Sequence, residues 1–397
     1  MNQYIELLQD IIRNGFDHED RTGGGRRSVY CRQLRFNMAD GFPLVTTRKA
    51  NMDVVIKELL WFLRGGNNVQ DLGCKIWDQW AVTEKDVDKW VDRHFDTFYN
   101  QFPEGHHQSD NPTDLEKQSR QELKQRVRDG FRQRLIEDNK DTIGPLYGIP
   151  WRSIRRTPHY TTTIKNTPRK SLSDYSPVKL LELQELYENR VECFSSSEEQ
   201  DEMLEAMSFE DFIALAEITS VDQIEELVHN LKTRPFSARH VVSAWIPEWI
   251  PNEDISPQEN VIRGRGALAP CHMMFQCFVS PPDMSVSPKH RLSLMMYQRS
   301  VDTAVGGVTN IAQYSLLLHM LAQVTDMEPY QFIWNTGDTH IYLAHIEAVK
   351  EQFKRKPFPL PTLKLNPEIR DIFGFKFEDI ELVDYISHPP IKFDVYT

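Results

Sequence analysis

The chain has 397 residues, 40% hydrophobic and 11% aromatic, enough for one large core or two ordinary ones, and this excludes a disordered chain. Lys and Arg number 46 against 58 Asp and Glu; the formal net charge of −12 disfavours coating nucleic acid or an anionic membrane and leaves room for a local basic pocket. No apolar run reaches the roughly 18–20 residues of a membrane span, and the start lacks a signal-peptide pattern.

Taken in chain order, Tyr4 to Ile12 has helical apolar spacing. Asp20-Arg21-Thr22-Gly23-Gly24-Gly25 reads as a glycine-rich turn. Ser28 to Phe36 alternates as a strand does. Asp53 to Leu63 predicts a helix that is apolar around most of its surface and ends at Gly65-Gly66. One carboxylate, Glu58, stands in its middle. The texture then changes. Val82 to Lys140 is dominated by charged and amide residues, and Ser171 to Glu217 is acidic. Amphipathic patterns at Leu115 to Leu135 and Ile213 to Leu231 predict helices in segments that read as surface insertions. Apolar character then returns. Met273 to Val279, Leu292 to Tyr297 and Phe332 to Trp334 predict strands, and Ile311 to Val324 a long buried helix. Pro357, Pro359, Pro361 and Pro367 predict an extended, turn-rich tail.

The five cysteines (Cys31, Cys74, Cys193, Cys271, Cys277) are odd in number and have no CxxC pair. That speaks against a disulfide framework or a metal site. The expectation is a soluble cytoplasmic protein with a free thiol, no metal, no nucleic acid and no membrane.

Cys271 follows Pro270 at the start of an apolar strand. A thiolate there is a strong nucleophile if cations lower its pKa; the structural alternative is a core cysteine. Arg299-Ser300-Val301-Asp302 offers a charged fork and a hydroxyl suited to phosphate, or a surface salt bridge. Asn310 can read the C4 carbonyl and N3–H edge of a uracil, or serve as a helix N-cap. His340 and Tyr342, two apart, share one face of an extended segment and could hold a sugar hydroxyl.

With these residues in place, the chain resembles the thymidylate synthase family, including its phage-type hydroxymethylases. The matching runs, in family order, are DRTGGG (20–25), DGFPLVTTRK (40–49), KELLWFLRGG (57–66), IWDQWA (76–81), GPLYGIPWR (144–152), SARHVVSAW (237–245), LAPCH (268–272), YQRSVD (297–302), NIAQYS (310–315) and GDTHIY (337–342). They fall within 1–82, 141–156 and 219–397, and leave insertions at about 83–140 and 157–218 in a single domain, 1–397. The resemblance implies an α+β fold: a large mixed β-sheet with packed helices, one sheet face forming a homodimer interface. It implies a cytoplasmic transferase of nucleotide biosynthesis that binds dUMP and takes a one-carbon unit from methylenetetrahydrofolate.

Residue by residue, the resemblance implies that Cys271 attacks C6 of the pyrimidine, with Glu58, Tyr147, His272 and Asp302 assisting catalysis. Glu58, inside an apolar helix, is expected to have a raised pKa. Arg21, Gln298, Arg299, Ser300, Asn310, His340 and Tyr342 are implied in nucleotide binding. Arg299 is also expected to lower the pKa of Cys271, and Arg239 to reach the partner subunit's phosphate. Trp77, Trp80, Leu268, Asp302, Gly306 and Tyr396 are implied on the folate side.

The chain departs from the synthase pattern on that side. Gly307-Val308-Thr309 replaces the usual Leu-Pro-Phe, Ala238 replaces the first of an arginine pair, and the tail ends Asp394-Val395-Tyr396-Thr397 rather than in small apolar residues. A looser, wetter folate pocket favours addition of water to a C5 methylene over reduction to a methyl group. The expectation is therefore a dUMP hydroxymethylase of bacteriophage type, working in host cytoplasm. A thymidylate synthase is the first alternative, and a non-catalytic binding protein on the same fold the remote one.

Overall fold

In the computed structural model, residues 1–19, 23–99, 114–155, 187, 205, 207–209 and 220–393 are described. Helix α1 (Asn2–Asn14) buries Tyr4, Leu7, Leu8 and Ile11, the stripe its spacing predicts. Strands β1 (Phe16–His18) and β2 (Arg26–Asn37) follow. Helix α2 (Met52–Leu63) is buried nearly all round, Glu58 included, and the chain leaves it through Gly65 at a left-handed φ of 72°. Helices α3 (Glu84–Tyr99), α4 (Asp114–Asn139) and the short α5 (Gly148–Arg152) come next.

Strands β3 (Ile154–Arg155) and β4 (Ser220–Val221) pair antiparallel. Then come helix α6 (Gln223–Thr233), strand β5 (Val241–Ser243), helix α7 (Pro257–Ile262), and the long strands β6 (His272–Ser280) and β7 (Arg291–Asp302). Helix α8 (Gly306–Val324) leads into strand β8 (Glu328–Tyr342). Helix α9 (Ile346–Phe353) precedes the proline-rich tail, which holds the antiparallel pair β9 (Thr362–Leu365) and β10 (Ile380–Val383).

Six strands form one sheet in the order β1-β2-β8-β7-β6-β5. The β7–β8 pair is parallel and its neighbours are antiparallel, so the sheet is mixed, as expected. Parallel neighbours require a crossover, and α8 provides it. That placement explains its composition: α8 packs on β7 and β8 and against α2, so Ile311, Leu316, Leu317, Leu318 and Leu321 are all fully buried. On the other face of the sheet, Met274, Met295, Tyr297 and Ile333 are half-buried, and Tyr30 and Phe278 are 73% and 64% exposed.

The described chain divides into two compact units, one of Met1–Trp151 with Ile224–Thr397 and one of Arg152–Gln223. In the second, Arg152 Nε donates to Asp222 Oδ2 at 2.6 Å and the Tyr187 hydroxyl to the Met207 carbonyl at 2.8 Å.

Two expectations are corrected. The first polar segment is not surface alone: Val87, Val91 and Phe95 of α3 are at most 1% exposed and join the main core. The α4 side chains Arg132 and Arg128 pair with Asp88 and Asp92, which flank that stripe on α3. The pattern from Ile213 to Leu231 is not one helix either. Its start lies outside the described residues, Ser220–Val221 form β4, and α6 begins at Gln223. Among the described residues, no helix is long and apolar enough to cross a membrane.

Candidate active site

Strand register gathers the candidate residues at one end of the sheet. Ser300 lies opposite Asp338 and Asp302 opposite His340, while Ser28 lies opposite His340 and Arg26 opposite Tyr342. The start of β6 joins them: Arg299 N donates to the Cys271 carbonyl at 2.8 Å. Of these, Arg26, Cys271, Arg299, Ser300, Asp302, His340 and Tyr342 line a pocket of about 630 Å³ that also includes Trp80, Asn252, Asn260 and Leu268.

Cys271 is the nucleophile candidate of this pocket. The Arg299 guanidinium, 3.9 Å from Sγ, favours the thiolate, as expected. Burial outweighs it, and the thiol's pKa stands above its ordinary value despite Arg299 and Tyr147. In this state the group is a protonated thiol. Tyr147, with a left-handed φ of 42°, receives a hydrogen bond on its hydroxyl from the Cys271 N–H at 2.9 Å. Its ring lies 5.0 Å from that of His272. Burial pushes the His272 pKa down to about 4, with Asn310 opposing, so the imidazole is neutral at pH 7.

Glu58 is 6% exposed. Burial raises its carboxyl to about 7, against hydrogen bonds from Trp77 and Gln313 that favour the charged form. Trp77 Nε1 donates to Oε1 at 2.8 Å, and Gln313 Nε2 to Oε2 at 3.0 Å. A bond between the two central helices, α2 and α8, thus ends on the one buried carboxylate of α2. The expected perturbation of Glu58 is present, and its cause is burial.

Asn310 is the fifth residue of α8, whose N-cap position is Val305. The helix-cap alternative therefore falls. A chain of donors fixes its amide instead. The Trp334 indole N–H can only donate, and it gives its hydrogen to Gln298 Oε1 at 2.8 Å. Gln298 Nε2 then donates to Asn310 Oδ1 at 2.8 Å. The Asn310 oxygen is used, and its NH₂ remains to donate.

Asp338 Oδ2 accepts from Arg26 Nη2 at 2.9 Å and Ser300 Oγ at 3.4 Å, and its Oδ1 lies 3.5 Å from His340 Nδ1. Burial works against the Asp338 carboxylate, yet His340 and Arg26 hold it down at about 2. Asp302 Oδ1 accepts from the N–H groups of Ala304 and Val305, closing the turn into α8, and burial raises its pKa against His340 and His345.

The pocket brings together Cys271, Arg299, Ser300, Asp302, His340, Tyr342, Trp80 and Leu268. Glu58, Trp77, Tyr147, His272, Gln298 and Asn310 connect through the bonds and ring contacts above. Gly306, half-buried, opens α8 with Asn310 Oδ1 3.6 Å from where its Cβ would be. Arg239 is exposed on the loop before β5 and does not line the pocket. Arg21 and Tyr396 lie outside the described residues. Arg26, Asp338, Gln313 and Trp334 were missed by sequence reasoning. Gln313 carried a signal: an amide in an apolar helix, three residues after Asn310 and so on the same face.

The comparisons agree with this geometry. A family model described as Thymidylate synthase matches residues 2–397. The chain is 33% identical to "Thymidylate synthase" of Francisella philomiragia subsp. philomiragia over 395 residues, covering 99% of this chain and 98% of that protein. The chain belongs to the thymidylate synthase family, a family of one-carbon transferases that use methylenetetrahydrofolate as co-substrate.

Proposed function

We propose that this protein is a deoxyuridylate hydroxymethylase. Cys271 adds to C6 of dUMP, and the electron pair displaced to C5 attacks the methylene carbon of methylenetetrahydrofolate. Loss of the C5 proton and expulsion of tetrahydrofolate leave an exocyclic methylene. Water adds to that carbon, the thiolate leaves C6, and hydroxymethyl-dUMP departs. Tetrahydrofolate is released without oxidation, so no external reductant is needed.

The chain's residues divide this work. Arg21, Arg299 and Ser300 hold the phosphate, with Arg239 of a second copy. His340 and Tyr342 hold the ribose. The Asn310 NH₂, fixed by Gln298 and Trp334, donates to the C4 carbonyl; a cytosine amino group there would face donor against donor. Glu58, whose pKa of about 7 lets it hold or release a proton at neutral pH, moves protons with Tyr147, His272 and Asp302. Trp77, Trp80, Leu268, Asp302, Gly306 and Tyr396 serve the folate side. The half-covered sheet face with Tyr30 and Phe278 is the homodimer interface.

The feature that carries the hydroxymethyl outcome is the sequence that opens α8, Gly307-Val308-Thr309. Gly307 has no side chain, and a Cβ there would lie 3.2 Å from the Trp334 ring. Thr309, half-buried, puts a hydroxyl one residue before Asn310. Without the aromatic that the family resemblance leads one to expect at position 309, the folate side packs less tightly and admits water to the reacting carbon. A second reading, reductive methylation to dTMP, is favoured by the name of the Francisella relative, a thymidylate synthase.

The product separates the two. With dUMP and methylenetetrahydrofolate, the enzyme should give a nucleotide one oxygen heavier than dTMP, without the near-ultraviolet rise of dihydrofolate. Dihydrofolate formed one for one with dTMP sinks the hydroxymethyl reading and leaves a thymidylate synthase.

A further inference from the structure

We propose that Arg26 is a phosphate-binding residue of this pocket, a further cation from the same chain that grips the nucleotide phosphate beside Arg21, Arg299 and Ser300. The inference rests on the nucleotide reading above.

A phosphate monoester carries roughly −1.5 to −2 charges at pH 7. Arg299 supplies only one positive charge, and much of its fork faces the loop that holds the nucleophile. Its Nη2 reaches the Ala269 carbonyl at 3.2 Å and Cys271 Sγ at 3.9 Å, and its Nε the Pro270 carbonyl at 3.4 Å. Ala238 removes a cation from the arginine pair that the family resemblance leads one to expect.

Arg26 lines the same pocket. Asp338 Oδ2 is 2.9 Å from Arg26 Nη2 and 3.4 Å from Ser300 Oγ. One anionic oxygen is therefore within reach of both donors, and a phosphate oxygen beside it meets the same pair. Arg26 Nε is buried and has no partner among the described residues, an unfavourable state for a charged donor that an arriving anion relieves. A guanidinium can keep Asp338 on one edge and bind phosphate with the other. Strand alternation separates it from its neighbour: Arg27 pairs with Asp17 and the Ile12 carbonyl instead.

The test is calorimetric titration of the full-length protein with dUMP and with deoxyuridine, which lacks only the phosphate. Arg26→Ala should weaken dUMP about tenfold or more and leave deoxyuridine unchanged. Arg26→Gln, which keeps an amide donor for Asp338, should give the same split even if the alanine variant fails to fold. Arg27→Ala, the control for lost charge, should change neither. Unchanged dUMP affinity, or an equal loss for both ligands, overturns the assignment of Arg26. A wild type that binds neither ligand overturns the nucleotide reading, a distinguishable failure that also removes this assignment.

Discussion

A carboxylate inside an apolar helix is unfavourable in its charged form unless partners offset the burial. Glu58 has two partners, yet burial still holds its pKa near 7 against an ordinary 4.5. The sign of the stability effect follows. Below about pH 4.5 the carboxyl is protonated in folded and unfolded chains alike, and burial carries no ionic penalty. As pH rises through 7 the unfolded chain is ionised first, so stability falls and stays low above that point. Glu58→Gln should therefore gain up to roughly 3 kcal/mol at pH 8 and nothing near pH 4. Urea unfolding at the two pH values checks this, and an equal gain at both would show that the carboxyl is not perturbed. The same variant should lose turnover. Glu58 was legible because it breaks its helix pattern. Arg26 was not, because alternation tells which face a strand residue takes but not which long-range partner waits there.

Among the elements, α3 shows how composition hides a stripe. Half of its residues are charged, yet Val87, Val91 and Phe95 recur at helical spacing and are buried. A segment average reads such a helix as solvated, while its one apolar line docks it on the core. Phe95→Ala should lower stability by about 3–5 kcal/mol, as for other buried aromatics. A loss under about 1 kcal/mol in the same unfolding assay would mean that the segment only decorates the surface. By contrast, α1, α2, α8 and the central strands were legible, because long apolar elements carry their period openly. The tertiary links of α8 were not. The Gln313–Glu58 and Trp334–Gln298–Asn310 bonds join residues far apart in sequence, and no local pattern specifies such pairings.

For the whole molecule, the resemblance gave the mixed sheet, but strand order and register had to come from the structure. The parallel β7–β8 pair places Ser300 beside Asp338 and Asp302 beside His340, and that juxtaposition makes one pocket out of separate motifs. The proposed function pairs two copies through the half-covered sheet face, with Arg239 reaching the partner's phosphate. Sedimentation should give roughly twice the 46.5 kDa chain mass, and a monomer with full activity would contradict a shared site. The most direct test of the central claim, that this pocket activates C5 of dUMP through Cys271, is release of tritium from dUMP labelled at C5. Wild-type enzyme should release it when methylenetetrahydrofolate is added, whichever product forms. Cys271→Ser should bind dUMP but release label at under about a thousandth of the rate, a barrier increase of roughly 4 kcal/mol. Release at an undiminished rate by the serine variant, or none by the wild type with both substrates, would contradict the account.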